Sequence, residues 1–191
     1  MTSITIFGKG NMGQAIGGVL ARGGADIQHI DSSVTGAVVQ GDIVVLAVPY
    51  GALPAIVEAY GSQLAGRTVV DITNPLDFST FDALVVPAGS SAAAELQQAL
   101  PDAIVLKAFN TNFAATLVSG REGDATTTVL VAGDDDEAKR GLIAAVTAGG
   151  LEAVDAGPLS RAHELEAIGF LQLSLAVGEK ISWTGGLALV R

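Results

Sequence analysis

Three glycines near the start of the chain, Gly8, Gly10 and Gly13, have the spacing G-x-G-x-x-G. The motif follows a β-branched and aromatic run, residues 4–7, and leads into a segment with helical periodicity, residues 12–22. In this context the glycines permit a tight turn, let the backbone approach a pyrophosphate, and let the helix lie close to the strand. The amides at the helix N-terminus then face the phosphates. We therefore predict a dinucleotide-binding loop made of Gly8, Lys9, Gly10, Asn11, Met12 and Gly13.

An acid at the end of the second predicted strand is the next residue with a chemical role. Asp31 lies eighteen residues after Gly13, where its carboxylate can accept hydrogen bonds from the adenosine ribose hydroxyls. It would repel a 2′-phosphate, and the residues that follow it are Ser32 and Ser33 rather than Arg or Lys. These residues favour NAD, but serine hydroxyls can also bind a phosphate, so NADP stays open.

Small neutral residues follow three further predicted strands, at residues 47–50, 73–75 and 110–112. In an open parallel sheet the ligand lies beyond the carboxyl ends of the strands, which is where these residues fall. Their hydrogen-bonding groups and rigid turns are suited to holding a flat ring. None of them forms a charge relay.

Few side chains in the sequence could donate a proton: His29, His163, Tyr50, Tyr60 and Lys107. We expect a structural role for His29, within a strand, and an exposed position for His163, early in the last helix. Carbonyl reduction needs such a donor, whereas a flavin-like acceptor is itself the electron sink. The sequence therefore favours a flavin-like acceptor, with no catalytic side chain assigned. Two alternatives stay open: a non-catalytic nicotinamide-binding sensor module, and a carbonyl or imine reductase using His163 or Tyr50 as acid.

Charge and composition exclude several classes of protein. The 191 residues carry a formal net charge of -10, the reverse of what nucleic acid or an anionic membrane requires. No cysteine is present, so thiolate catalysis and cysteine-ligated metals are excluded, and we predict no metal site. The longest apolar run, residues 43–48, is far shorter than a membrane span. With no leader-like N-terminus, we expect a cytoplasmic protein acting on a small molecule.

The pattern along the chain alternates short apolar runs with helical segments, which predicts an α/β fold with a doubly wound, mostly parallel (Rossmann) sheet. We expect a single domain over residues 1–191, in which residues 159–191 form a helical segment and tail. The connection 31–41 is too short for a crossover helix. The last helix, residues 159–181, is apolar on more than one face, so we expect it to be buried in the domain or in a homodimer. The predicted strands are 4–7, 26–30, 43–48, 68–72, 103–108, 127–131 and 151–154, and the other helices are 12–22, 53–64, 91–100 and 135–147.

Five segments together resemble a known family. They are residues 4–13 (ITIFGKGNMG), 44–49 (VVLAVP), 70–76 (VDITNPL), 107–111 (KAFNT) and 155–159 (DAGPL). The chain resembles the NADP-dependent oxidoreductases of reduced deazaflavin, the short bacterial dinucleotide-binding proteins grouped with them, and the cytoplasmic domain of the STEAP metalloreductases. The resemblance extends over nearly the whole chain.

The resemblance implies hydride exchange between a nicotinamide and a flavin or deazaflavin. It favours NADP, although family members usually carry Ser followed by Arg or Lys after the second strand, where this chain has Asp31-Ser32-Ser33. It also implies that the acceptor stacks on the nicotinamide. The implied cofactor contacts are Ala47, Val48, Pro49, Thr73 and Asn74, and the implied substrate contacts are Pro75, Asn110 and Thr111.

Overall fold

A seven-stranded sheet forms the centre of the computed structural model, which describes residues 2–31, 33 and 36–190. The strand order is β2-β1-β3-β4-β5-β8-β9; β1 to β5 run parallel, β8 runs antiparallel to β5, and β9 runs parallel to β8. The predicted fold class is confirmed. The strands are β1 (Ser3–Phe7), β2 (Asp26–Ile30), β3 (Ile43–Leu46), β4 (Thr68–Asp71), β5 (Ile104–Lys107), β8 (Thr128–Gly133) and β9 (Glu152–Gly157), with a separate hairpin of β6 (Arg121–Glu122) and β7 (Ala125–Thr126).

Helices cover both faces of the sheet, which explains why the strands are apolar without alternation. One buried cluster packs α1, α4 and α5 against one face, and a second packs α2, α3 and the start of α6 against the other. The helices are α1 (Asn11–Arg22), α2 (Leu53–Leu64), α3 (Ala92–Ala99), α4 (Ala114–Ser119), α5 (Asp136–Ala148) and α6 (Ala162–Val177), and short 3-10 turns occupy Tyr50–Ala52 and Leu159–Arg161.

The connection between β2 and β3 contains no helix in its described residues, 31, 33 and 36–42, as its length predicts. The chain passes from β2 back to β3, which pairs with the other edge of β1. Strand order therefore reverses between β1 and β3. Ligands of open α/β sheets bind beyond the strand ends at such a reversal.

The last helix differs from the prediction for residues 159–181. It begins as a 3-10 turn, and α6 ends at Val177, because Gly178 and the left-handed Glu179 (φ 57°) close it. Its buried face includes the polar Glu166 and Gln172, whereas Leu171 and Val177 are exposed. The expected homodimer stays a prediction.

The prediction also missed α4 and the β6-β7 hairpin, because elements of two to six residues are too short to show a period. Strands β8 and β9 run to residues 133 and 157, beyond their predicted ends. Among the described residues, no helix combines the length and apolar character needed to cross a membrane.

Candidate functional site

The ends of β1 and β3 meet at the glycine loop. Gly8 has φ +108°, and a β-carbon there would lie 2.2 Å from Ala47 O. A β-carbon on Gly13 would lie 2.4 Å from Gly8 O. Only glycine fits at either position, so the motif brings strand β1, strand β3 and helix α1 into backbone contact.

The space in front of the loop is open. A β-carbon on Gly10 would meet no atom within 4 Å. Gly10 is also the N-cap of α1, where no side chain caps the helix and no acid lies in the first turn. The first amides of α1 therefore point their partial positive charge into a space that can hold a pyrophosphate. The loop fits a dinucleotide.

A cavity of about 700 Å³ lies on one side of the loop. We call it the outer cavity; Lys9 and Asp31 are the only charged residues among the described residues that line it. Lys9 Nζ lies 2.7 Å from Asp31 Oδ2, and both the amide and the hydroxyl of Ser33 donate to Asp31. These bonds lower the pKa of Asp31, so the carboxylate stays ionised. The residues that line the outer cavity are Phe7, Gly8, Lys9, Gly10, Ile30, Asp31, Gly36, Ala47, Val48, Pro49, Ala52, Ala55, Ile56, Ala59, Tyr60 and Gln63.

A second cavity, of about 440 Å³, opens on the other side of the loop, beyond the ends of β4 and β5. We call it the inner cavity. The described residues that line it include no charged side chain but five carboxamides and several aromatic rings. The arrangement suits a neutral, planar, hydrogen-bonding ligand. The lining is Asn11, Met12, Ile72, Asn74, Phe109, Asn110, Asn112, Phe113, Ala114, Ala115, Gly169, Gln172, Leu173 and Trp183.

Two of these carboxamides bind each other. Asn74 Nδ2 donates to Asn110 O and Asn110 Nδ2 donates to Asn74 Oδ1, each at 2.9 Å. Asn110 Nδ2 also donates to Leu165 O of α6 at 2.8 Å. The buried Phe109, which lines the inner cavity, has φ 62°, a strained conformation for a non-glycine residue.

Unpartnered acceptors surround this pair. Within the described part of the chain, four buried side-chain oxygens lack a hydrogen-bond partner. Because a buried polar atom without a partner is costly, such atoms are places where a bound ligand or an ordered water can donate a hydrogen bond. They are Thr73 Oγ1, Asn110 Oδ1, Asn112 Oδ1 and Gln172 Oε1.

A buried ionic cluster lies beneath the turn after β4. Lys107 Nζ is 2.8 Å from Asp71 Oδ2 and 2.8 Å from Glu166 Oε1. Burial raises the pKa of Glu166, and Lys107 opposes that rise. From the sequence, Lys107 was identified only as a side chain that could donate a proton. Its place at the same register as Asp71 on a neighbouring strand was a usable signal, whereas nothing local indicated Glu166.

The predicted site residues divide between the two cavities. Gly8, Lys9, Gly10, Asp31, Ala47, Val48 and Pro49 line the outer cavity; Asn11, Met12, Asn74 and Asn110 line the inner one. Ser33 contacts Asp31, Gly13 packs on Gly8, and Ser32 lies outside the described residues. Thr73, Pro75 and Thr111 are buried and line neither cavity. Asn112, which belongs to the predicted cluster 110–112, also lines the inner cavity, whereas the sequence missed Gln172 and Trp183, which lie far from its motifs.

The alternative proton donors point elsewhere. Tyr50 Oη donates to Glu95 at 2.6 Å, and this bond raises the pKa of Tyr50 to about 12. His163 Nδ1 lies 3.0 Å from Ser90 O, and His29 Nδ1 lies 3.1 Å from Gly8 O. None of the three lines either cavity. Across the described residues, no three acids or histidines cluster as metal ligands would.

Comparison with known proteins shows which proteins this chain is similar to. A family model described as "NADP oxidoreductase coenzyme F420-dependent" matches residues 25–75. The F420-dependent NADP reductase of Methanocaldococcus jannaschii is 29% identical over 171 residues, which is 87% of this chain and 76% of that protein. The metalloreductase STEAP3 of Rattus norvegicus is 36% identical over 106 residues, 56% of this chain and 20% of that protein.

The fold agrees as well. A solved structure from Arthrobacter sp. FB24, provisionally described as an F420-dependent NADP reductase, superposes with a TM-score of 0.82 over 100% of both chains, at 23% identity. This likeness shows the fold, a doubly wound sheet, while the family model and the relative from M. jannaschii indicate an NADP-dependent oxidoreductase. The predicted resemblance to the deazaflavin-linked NADP oxidoreductases is confirmed, and so is the predicted enzyme class, an NAD(P)-dependent oxidoreductase.

Proposed function

We propose that this protein transfers a hydride between NADP(H) and a flavin-like acceptor, with a deazaflavin as the first candidate. The observation that carries the proposal is a phosphate-binding loop between two unlike cavities, one with a charge pair and one lined by carboxamides and aromatic rings. The relative from M. jannaschii, an F420-dependent NADP reductase, supports both NADP and a deazaflavin. A cytoplasmic location and a homodimer stay predictions.

The glycine loop and α1 hold the pyrophosphate. Backbone amides supply the attraction, since the chain as a whole is strongly acidic and offers no broad positive field. Gly10 leaves room for the phosphate oxygens. Ile30 and Asp31 in the outer cavity would then hold the adenosine half, and the residues of the inner cavity would hold the nicotinamide half.

Lys9 and Asp31 select the adenosine ribose. The Lys9 ammonium, 2.7 Å from the Asp31 carboxylate, neutralises the acid and places a cation in the outer cavity. A 2′-phosphate can take Lys9 as its partner, and the Ser33 hydroxyl adds a donor. This pair accounts for NADP binding in a chain that carries an acid after its second strand.

The carboxamides of the inner cavity would hold the nicotinamide and the acceptor ring. Asn74 and Asn110 orient the nicotinamide, while Asn112 and Gln172 accept hydrogen bonds from the ring N–H of the acceptor. A flavin-like imide has such an N–H and a simple ketone has none. When bound, the reduced nicotinamide supplies the hydride, and no charged side chain among the described lining residues is needed as an acid.

Mixing the protein anaerobically with NADPH or NADH and oxidised F420, FMN or riboflavin tests the proposal. We expect NADPH oxidation coupled to acceptor reduction. Oxidation of neither nicotinamide with any of these acceptors would contradict hydride transfer; tight NADPH binding in that case would favour the sensor alternative.

Gly10→Ala provides a matched variant. Its methyl group meets no protein atom within 4 Å, so folding should be unchanged while the phosphate space is filled. We expect loss of NADPH binding. The control, Gly141→Ala, places a methyl group in equally open space on α5 and should bind NADPH normally.

A further inference from the structure

The cluster of Asp71, Lys107 and Glu166 is fully buried, with side chains 0–1% exposed. Ion pairs at such depth add little net stability, because desolvation of the charges offsets their attraction. Apolar residues of similar volume often serve as well or better. Stability is therefore a weak explanation for three buried charges, and their contacts with the turn after β4 indicate another role.

Two of the three residues hold the backbone of one residue, Thr73, through the two peptide units on either side of it. Asp71 Oδ1 accepts from Thr73 N at 2.8 Å, and Lys107 Nζ donates to Thr73 O at 2.5 Å. Charge-assisted hydrogen bonds of this kind are roughly twice as strong as neutral ones. The backbone of Thr73 is thus held at both its donor and its acceptor.

Thr73 lies just after β4, where the chain leaves the sheet towards the inner cavity. Thr73 Oγ1 is buried without a partner among the described residues, so it can accept or donate one hydrogen bond. The next residue, Asn74, lines the inner cavity and pairs with Asn110. Fixing the backbone of Thr73 therefore fixes the direction in which Asn74 enters the inner cavity.

We propose that Asp71 and Lys107 are positioning residues for the nicotinamide carboxamide, acting through the backbone of Thr73. The proposal rests on the proposed function, since it assumes that a nicotinamide lies in the inner cavity against Asn74, the residue that follows Thr73. Neither residue contacts the cofactor. Both pre-organise the groups that do.

Glu166, the third residue of the cluster, makes different contacts. Its carboxylate accepts from Ala92 N at 3.0 Å and from Ala93 N at 3.4 Å, at the start of α3. It contacts Lys107 but makes no hydrogen bond to Thr73 among the described contacts. Glu166 thus links α3 and α6 to Lys107 but does not hydrogen-bond the backbone of Thr73.

This difference provides a matched pair of variants. Asp71→Asn and Glu166→Gln each convert one carboxylate partner of Lys107 into a carboxamide of the same shape. In Asp71→Asn the side chain keeps one acceptor oxygen, so its NH₂ must face either Lys107 Nζ or Thr73 N, which are both donors, and one of the two contacts of residue 71 is lost. Each variant leaves one lysine and one carboxylate, so no excess charge remains buried.

The measurement is equilibrium binding of NADP⁺ and of 2′-phospho-ADP-ribose, which lacks the nicotinamide, by titration calorimetry. The Kd of 2′-phospho-ADP-ribose divided by the Kd of NADP⁺ reports the contribution of the nicotinamide alone. In Asp71→Asn we expect this ratio to fall roughly tenfold, the effect of one charge-assisted hydrogen bond. Glu166→Gln should keep the ratio, and both variants should bind 2′-phospho-ADP-ribose as the wild type does.

Lys107→Met should resemble Asp71→Asn. If Lys107→Met does not fold, because two carboxylates remain buried without a cation, Asp71→Asn decides the question. Three results would overturn the positioning role. They are an unchanged Kd ratio in Asp71→Asn, an equal fall of that ratio in Glu166→Gln, and a wild-type ratio near one. Failure of the wild type to bind either ligand would instead overturn the proposed function.

Discussion

Gly169 of α6 lies directly against the carboxamide of Asn74: a β-carbon at residue 169 would lie 2.3 Å from Asn74 Oδ1 and 3.0 Å from Asn110 O. The glycine lets the last helix approach the ends of β4 and β5. It also brings Gln172, one turn further along α6, to the inner cavity. A residue that looks ordinary in a helix therefore shapes the proposed acceptor site.

Gly169→Ala should break the Asn74–Asn110 pair or push α6 away from it. We expect the kcat/KM for the acceptor to fall at least roughly tenfold and the protein to lose about 1–3 kcal/mol of unfolding free energy through overpacking. Steady-state kinetics and urea unfolding measure the two effects. In Gly141→Ala the methyl group meets open space, so a gain of about 0.5–1 kcal/mol is expected. Normal kinetics in Gly169→Ala would show that the asparagine pair is not needed.

The glycine loop and the strand ends could be predicted because their signals are local. Residues 8–13 carry a fixed spacing, and the helix predicted for residues 53–64 has the bounds observed for α2. The polar ends of the strands follow from the rule that ligands bind beyond the carboxyl edge.

The inner cavity could not be predicted in the same way. Asn112, Gln172 and Trp183 come from a loop, a helix and the C-terminal tail, and no spacing relates them. Buried carboxamides also have no periodic signature. The role of Lys107 needed both the register of β4 with β5 and the packing of α6, which are tertiary facts.

Cofactor selection should depend on the Lys9–Asp31 pair. Lys9→Met removes the cation that faces a 2′-phosphate, so we expect the Kd for NADPH to rise roughly tenfold while that for NADH changes less. Asp31→Arg with Ser33→Lys should shift the preference further towards NADPH. Titrations of both nicotinamides give the ratio. If the ratio of the Kd values for NADPH and NADH is unchanged in both variants, Lys9 and Asp31 do not contact the ribose.

Tyr50 should be dispensable for the chemistry. Its hydroxyl donates to Glu95 and its pKa is raised to about 12, so it is a poor acid, and it lines neither cavity. Tyr50→Phe should keep kcat within about twofold, at a stability cost of about 1 kcal/mol for the lost hydrogen bond. A large loss of kcat with unchanged NADPH affinity would instead favour the carbonyl or imine reductase alternative, and His163→Gln is the parallel check.

Glu122 should make stability depend on pH. It is 5% exposed, and burial raises its pKa above the ordinary value of 4.5, with Asn112 Nδ2 at 3.4 Å as a weak donor. Because the folded-state pKa lies above the unfolded one, the folded protein loses stability as pH rises through the raised pKa. Glu122→Gln should therefore be more stable than the wild type at neutral pH, and the difference should shrink as pH falls to about 4.5. Thermal unfolding across this range measures it; a constant difference would contradict the assignment.

Trp183 should report on the acceptor. It is the only tryptophan in the chain, its ring centroid lies 5.0 Å from that of Phe113, and it lines the inner cavity while remaining 51% exposed. An acceptor ring entering this cavity should quench its fluorescence. Trp183→Leu should weaken acceptor binding by up to roughly tenfold, the value of one aromatic contact, without changing the Kd for NADPH.

Leu187→Ala is the matched control for Trp183, because Leu187 lies in the same tail, is 48% exposed and lines neither cavity. It should leave the KM for the acceptor unchanged. If both variants raise that KM equally, the tail acts through its overall fold rather than through the indole ring. If Trp183→Leu raises the Kd for NADPH and spares the acceptor, then the two rings occupy the inner cavity in the opposite order, with the nicotinamide on the side of the tail.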